Sequence, residues 1–140
     1  MRVVLVATAV VGSLFTIGFA PGVASAAPTT TTEPVERPLS SAEVLVHSRF
    51  DIVNGEPLGF EAWSPLSDTA GVRVYFLSGT PACYGVRTVT TETVDTVTVD
   101  LQSGFLPEAA DRMCTAKAVL AATDVALDAP LGVRKVLSRY

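Results

Sequence analysis

The chain has 140 residues and a formal net charge of −4, with ten Lys and Arg against fourteen Asp and Glu and a single histidine. That length supports one domain with one core, and its cations are scattered, with only Arg134 and Lys135 adjacent, so there is no basic patch for binding nucleic acid. The acidic balance argues against adhesion of the mature domain to an anionic membrane, and one histidine excludes a two- or three-histidine metal site.

The N-terminus reads as a signal peptide over residues 1–26. Arg2 precedes an apolar run from Val3 to Phe19, then the helix-breaking Pro21-Gly22, then Ala24-Ser25-Ala26 as a small-x-small cleavage site. The alternative is an uncleaved membrane anchor, since a run of about 17 apolar residues is near the lower limit for a span. No cysteine follows the run, which excludes a lipid anchor on cysteine. The expected location is secreted or extracytoplasmic. Residues 27–40 are rich in Thr and Pro and poor in large apolar side chains, so they are expected to form an extended or disordered linker. Thr29 to Thr32 are candidate O-glycosylation positions on composition.

From residue 41 onward the pattern is β. Glu43 to Val53 is a first strand, and Asn54-Gly55 predicts a type I′ hairpin turn into a second strand over Leu58 to Trp63. Gly71 to Ser78 alternates Val72, Val74 and Phe76 inward with Arg73 and Tyr75 outward. Val86 to Thr91 and Val97 to Leu101 form a Thr/Val-rich hairpin with its turn at Val94-Asp95. Ser103 to Arg112 reads as a loop with one helical turn near Glu108 to Met113. Residues 116–127 carry both the alanines of a helix and a strand's alternation, and the flanking strands favour β. Asp128 to Gly132 is a turn before a last strand at Val133 to Leu137. There is no internal repeat.

The two cysteines, Cys83 and Cys114, read as a disulfide in an exported chain. Closing a loop of roughly 30 residues contributes about 3–4 kcal/mol in the chain-entropy model. The predicted fold class is therefore all-β: one small antiparallel sandwich or barrel-like domain of about seven strands over residues 41–140, stapled by one disulfide.

Few residues invite catalysis. His47 would be the base of any Ser–His–Asp triad or reactive thiol, yet no nucleophile motif accompanies it, and a solvent-facing strand histidine is the simpler reading. Glu61, Glu92, Asp95 and Asp100 could supply the carboxylate pair of a glycoside hydrolase, but one Trp and three Tyr make a poor aromatic cleft. Asp51 to Glu56 holds oxygen ligands without the spacing of a calcium loop. No cofactor is expected.

Pro81-Ala82-Cys83-Tyr84-Gly85, Glu92-Thr93 before Val97-x-Val99, Gly104, Cys114 and the run Leu127-Asp128-Ala129-Pro130-Leu131-Gly132-x-Arg134 resemble a group of small exported actinobacterial proteins of uncharacterised function. The likeness covers about half of the mature chain, and Lys135 to Tyr140 depart from the pattern. It implies an exported, disulfide-containing β domain and brings no activity. It singles out Glu92, Asp128 and Arg134, which read as a structural polar cluster in which an acid pairs with Arg134 across strands, or alternatively as a polar recognition patch. Tyr84 is expected to pack over the disulfide. The expected function is that of a non-catalytic binding or structural module at the cell envelope or outside the cell, with an envelope protein or glycan as partner. The alternative is an inhibitor of an extracellular hydrolase that presents the loop 103–112.

Overall fold

A computed structural model describes residues 29–42, 44–67 and 70–140. The signal-peptide reading of residues 1–26 lies outside them. Among the described residues, no helix is long and apolar enough to cross a membrane. The described residues form ten strands and one 3-10 turn. Seven strands have four residues or more: β4 (Val53–Pro57), β5 (Ala62–Pro65), β6 (Gly71–Ser78), β7 (Tyr84–Glu92), β8 (Thr96–Phe105), β9 (Val119–Ala126) and β10 (Lys135–Arg139). β1 (Thr31–Thr32), β2 (Val35–Glu36) and β3 (Val44–Leu45) are two-residue pieces.

The β-branched alternation sets the inner faces. β7 and β8 pair antiparallel from Tyr84↔Phe105 to Glu92↔Val97. The opposite edge of β8 is shared in tandem: β10 runs parallel along Thr96 to Asp100, and β4 pairs antiparallel with Gln102 to Phe105. In the second sheet the order is β2-β5-β6-β9-β3. There the register places Val72, Val74 and Phe76 opposite Val125, Thr123 and Ala121. The core lies between the sheets, with Val86, Val97, Val99, Leu101 and Val136 from one side and Trp63, Val72, Val74, Phe76 and Val125 from the other. Residues 116–127 thus include a strand, as the flanking pattern favoured: helical packing would send these side chains around all sides, whereas the period-2 register buries Ala121, Thr123 and Val125 together.

Residues 29–40, expected to be extended or disordered, are extended and pair with the edges of both sheets. Thr31 and Thr32 pair with Arg139 and Ser138 at the edge of the first sheet, and Val35 and Glu36 pair with Ala62 and Trp63 at the edge of the second. Arg37 then lies over the Tyr75 ring, 4.6 Å from its centroid, and Ser40 exchanges backbone hydrogen bonds with the Tyr75 hydroxyl. Tyr75, expected to face solvent, is 3% exposed for this reason. At the far edge β3 pairs with β9, Ser48 bridges to Val86, and the chain has changed sheets again. The segment is poor in apolar residues, so it cannot make a core of its own. It is held instead by unpaired backbone groups at the sheet edges.

Asn54-Gly55 is likewise not a hairpin turn. Both residues lie within β4, where the register slips by one residue between Val53 and Glu56, and Asn54 has a φ of 53°. This is a bulge, which uses the same tolerance of positive φ that the hairpin would have used. Gly85 and Gly104 face each other across β7 and β8. Their missing side chains let residues 49–53 cross the outer face of the sheet, with Ile52 and Arg49 above Gly85 and the Val53 carbonyl against Gly104. The N-terminal third is therefore a belt that closes both sides of the sandwich.

Candidate functional site

The disulfide forms between Cys83 and Cys114, with Cα atoms 6.1 Å apart. Cys83 is buried with Leu106 and Ala109, and Tyr84 packs against this small cluster. The Tyr84 ring also stacks at 4.7 Å on Phe105. The loop 103–112 differs from its expected form. Ser103 to Phe105 complete β8, and Pro107–Ala109 form a 3-10 turn. The exposed segment is instead 110–118, broken only by the half-buried Cys114. β8 runs on through Gly104 to Phe105, because the missing Cβ at Gly104 leaves room for the Val53 carbonyl.

Glu92, Asp128 and Arg134 come together at one end of the sandwich, but Asp128 takes part through its backbone. Arg134 Nη1 donates to Glu92 Oε2 at 2.6 Å, and the Asp128 amide donates to Glu92 Oε1 at 2.7 Å. The remaining guanidinium nitrogens bind the carbonyls of Ala129, Pro130 and Leu131. The Arg134 and Glu92 side chains are 10% and 15% exposed. Arg134, first of all, and the Asp128 amide hold the Glu92 carboxyl below its usual range. Gly132, at φ +58°, turns the chain so that Arg134 reaches back over its own loop. The Leu-Asp-Ala-Pro-Leu-Gly-x-Arg run is thus a loop clamped by its last residue onto the end of β7. The Arg134 guanidinium is fully engaged by acceptors of the chain itself.

The other sequence candidates are dispersed. His47 is exposed, and Asp124 pairs with Arg73 at 2.6 and 2.8 Å. Asp100 pairs with Arg139 at 2.5 and 2.6 Å. Asp95 lies in the β7–β8 turn, where its carbonyl accepts from the Lys135 amide, and Glu61 borders β5 in the other sheet. Asp51 is bound by Arg49, which also reaches Glu108. Among the described residues, no three His, Cys, Asp or Glu side chains are grouped to hold a metal.

What remains open is surface. A groove of about 530 Å³ runs beside the Arg134 loop, lined by Glu33, Glu36, Trp63 and Lys135 among others. A more apolar cleft of about 400 Å³ lies among Leu58, Phe60, Leu77 and Leu120. The outer face of the first sheet is left partly open by the belt, since residues 49–53 lie against its Gly85–Gly104 end. It presents Arg87, Val89 and Thr91 of β7, and Thr98, Asp100 and Gln102 of β8. Phe50, within the stretch expected to form the first strand, stands 77% exposed at the border of this surface. No protein-family model, curated protein or solved structure matches this chain.

Proposed function

We propose that this chain is an exported, non-catalytic binding module acting at the cell envelope or outside the cell through the outer face of its first sheet. The observation that carries this reading is the contrast between the two outer faces. The belt covers Tyr75 on one, while β7 and β8 offer an uncovered surface with Val89 and Thr91 exposed. A disulfide-closed domain of this size suits an oxidising compartment. Of the candidate carboxylates, Glu92 and Asp100 are engaged by Arg134 and Arg139. The test is co-purification from an envelope fraction with the domain as bait, comparing wild type with Thr91→Arg and Thr98→Arg. Partner capture lost in these variants, and retained when a charge is placed at exposed Met113, supports the module and its face. Capture indifferent to all three disposes of the face.

A second reading, inhibition of an extracellular endopeptidase, is favoured by one feature. Met113 is fully exposed beside the disulfide, while neighbouring Arg112 is tied to the Ala82 carbonyl at 2.8 Å. A loop held at both residues flanking its exposed side chain loses little entropy on docking. Titration against endopeptidases that prefer large apolar side chains would give stoichiometric inhibition sensitive to Met113→Asp; rapid cleavage without inhibition would remove this reading.

A further inference from the structure

We infer that the bare sheet face carries a carboxylate-binding point built on Arg87, flanked by Phe50 and Gln102, and that its ligand is an extended acidic peptide segment of a partner protein. This rests on the module reading above and gives it a ligand chemistry. Arg37, Arg49, Arg73, Arg112, Arg134 and Arg139 all donate to acceptors of the chain itself. Arg87 differs. Its Nε is buried without a partner, and among the described residues no carboxylate forms an ion pair with its guanidinium.

The surroundings define what would fit. Arg87 faces outward because Val86 faces the core, and it sits opposite Gln102 in the register. The Phe50 ring lies 5.9 Å from the guanidinium carbon, a cation–π distance that holds the planar fork in place. A guanidinium matches a carboxylate through two parallel N–H···O bonds, and the Gln102 carboxamide adds a donor beside it. A guanidinium with neither a carboxylate nor an internal acceptor among the described residues, in a chain of net charge −4, suits a monoanion. A phosphate dianion would face Asp100 one rung away and Asp51 next to Phe50.

The neighbouring edge favours a peptide over a free acid. Ser48 and Arg49 occupy the outer edge of β7 only at Val86 and Thr88. Among the described residues no strand pairs with that edge further along, from Val89 to Glu92. An added strand there would hydrogen-bond to β7 and lay a Glu or Asp side chain toward Arg87, with Val89, 42% exposed, taking an apolar neighbour.

The experiment is an NMR titration of the protein, reading the Arg87 Nε–Hε signal and the amides of Val89 to Thr91. The probes are an acetylated, amidated Val-Glu-Val peptide, its Val-Gln-Val counterpart, glucuronate and inorganic phosphate. Saturable shifts with the Glu peptide, roughly tenfold weaker binding of the Gln peptide, and loss in Arg87→Met would support the site. Because Arg87 serves no internal acceptor, Arg87→Met should melt at or above the wild-type temperature. A clear fall in melting temperature, or Glu and Gln peptides binding equally, overturns it. Tighter binding of glucuronate or phosphate overturns the peptide assignment. Capture of an envelope partner that survives Arg87→Met would leave the module standing and remove this site.

Discussion

At the scale of single residues, the chain balances well-satisfied polar groups against a few unsatisfied ones. Thr123 is fully buried, and its hydroxyl has no partner among the described residues. Replacing a buried, unpaired hydroxyl with a methyl of the same shape removes a desolvation cost. Thr123→Val is therefore expected to raise stability by about 1 kcal/mol, read as a higher denaturant midpoint at unchanged slope. Glu92 lies at the other extreme, with both oxygens bound. Its folded-state value lies below that of the unfolded chain, so its contribution is present in full above a pH of about 4.3 and is lost as pH falls through the folded value. Asp124 is lowered by Arg73 in the same sense. Melting temperature should decline as pH drops below that range, and Glu92→Gln should start lower at neutral pH and decline less on acidification. Parallel acid limbs in the two proteins would show that Glu92 is not among the groups responsible.

At the scale of elements, the decisive positions are those where one segment passes over another. A Cβ at Gly104 would lie 2.7 Å from the Val53 carbonyl oxygen and 3.2 Å from the Gly55 Cα. Both are backbone atoms of the bulged strand, which cannot rotate away. Gly104→Ala is expected to cost about 1–3 kcal/mol, the usual range for overpacking, with β4 displaced from β8. Hydrogen exchange localises the effect: faster exchange at Leu58, whose amide bonds to the Leu101 carbonyl, is the expected signature, and unchanged exchange there would refute it. These elements also show what was legible. β6, the β7–β8 hairpin and the disulfide could be read directly, because alternation and cysteine pairing in an exported chain are local or compositional signals. Asn54-Gly55 was legible only as a need for positive φ, since a turn and a bulge make the same demand of those residues.

At the scale of the whole molecule, the belt within residues 29–58 ties the two sheets of the sandwich together. Its first part is held by reciprocal backbone bonds between Thr30 and Tyr140, and by the amides of Val35 and Arg37 bonding to Glu61 and Trp63. Removing residues 29–37 should cost on the order of 2 kcal/mol once the entropy of ordering the segment is set against those bonds. Chemical denaturation would measure the loss, and a truncated domain as stable as the parent would mean the belt is dispensable. The sequence by itself determined the β class, the inner faces of the long strands, the disulfide and the identity of the loop that Arg134 closes. Those follow from side-chain period, cysteine pairing and chain-local turn chemistry. Only the tertiary structure decided that the Thr/Pro-rich segment forms edge strands, that Tyr75 is covered while Phe50 is bare, and that Arg87, among the described arginines, lacks an internal acceptor. Each of those depends on which backbone edges and sheet faces are left open once distant segments have packed, and no local pattern in the chain encodes that.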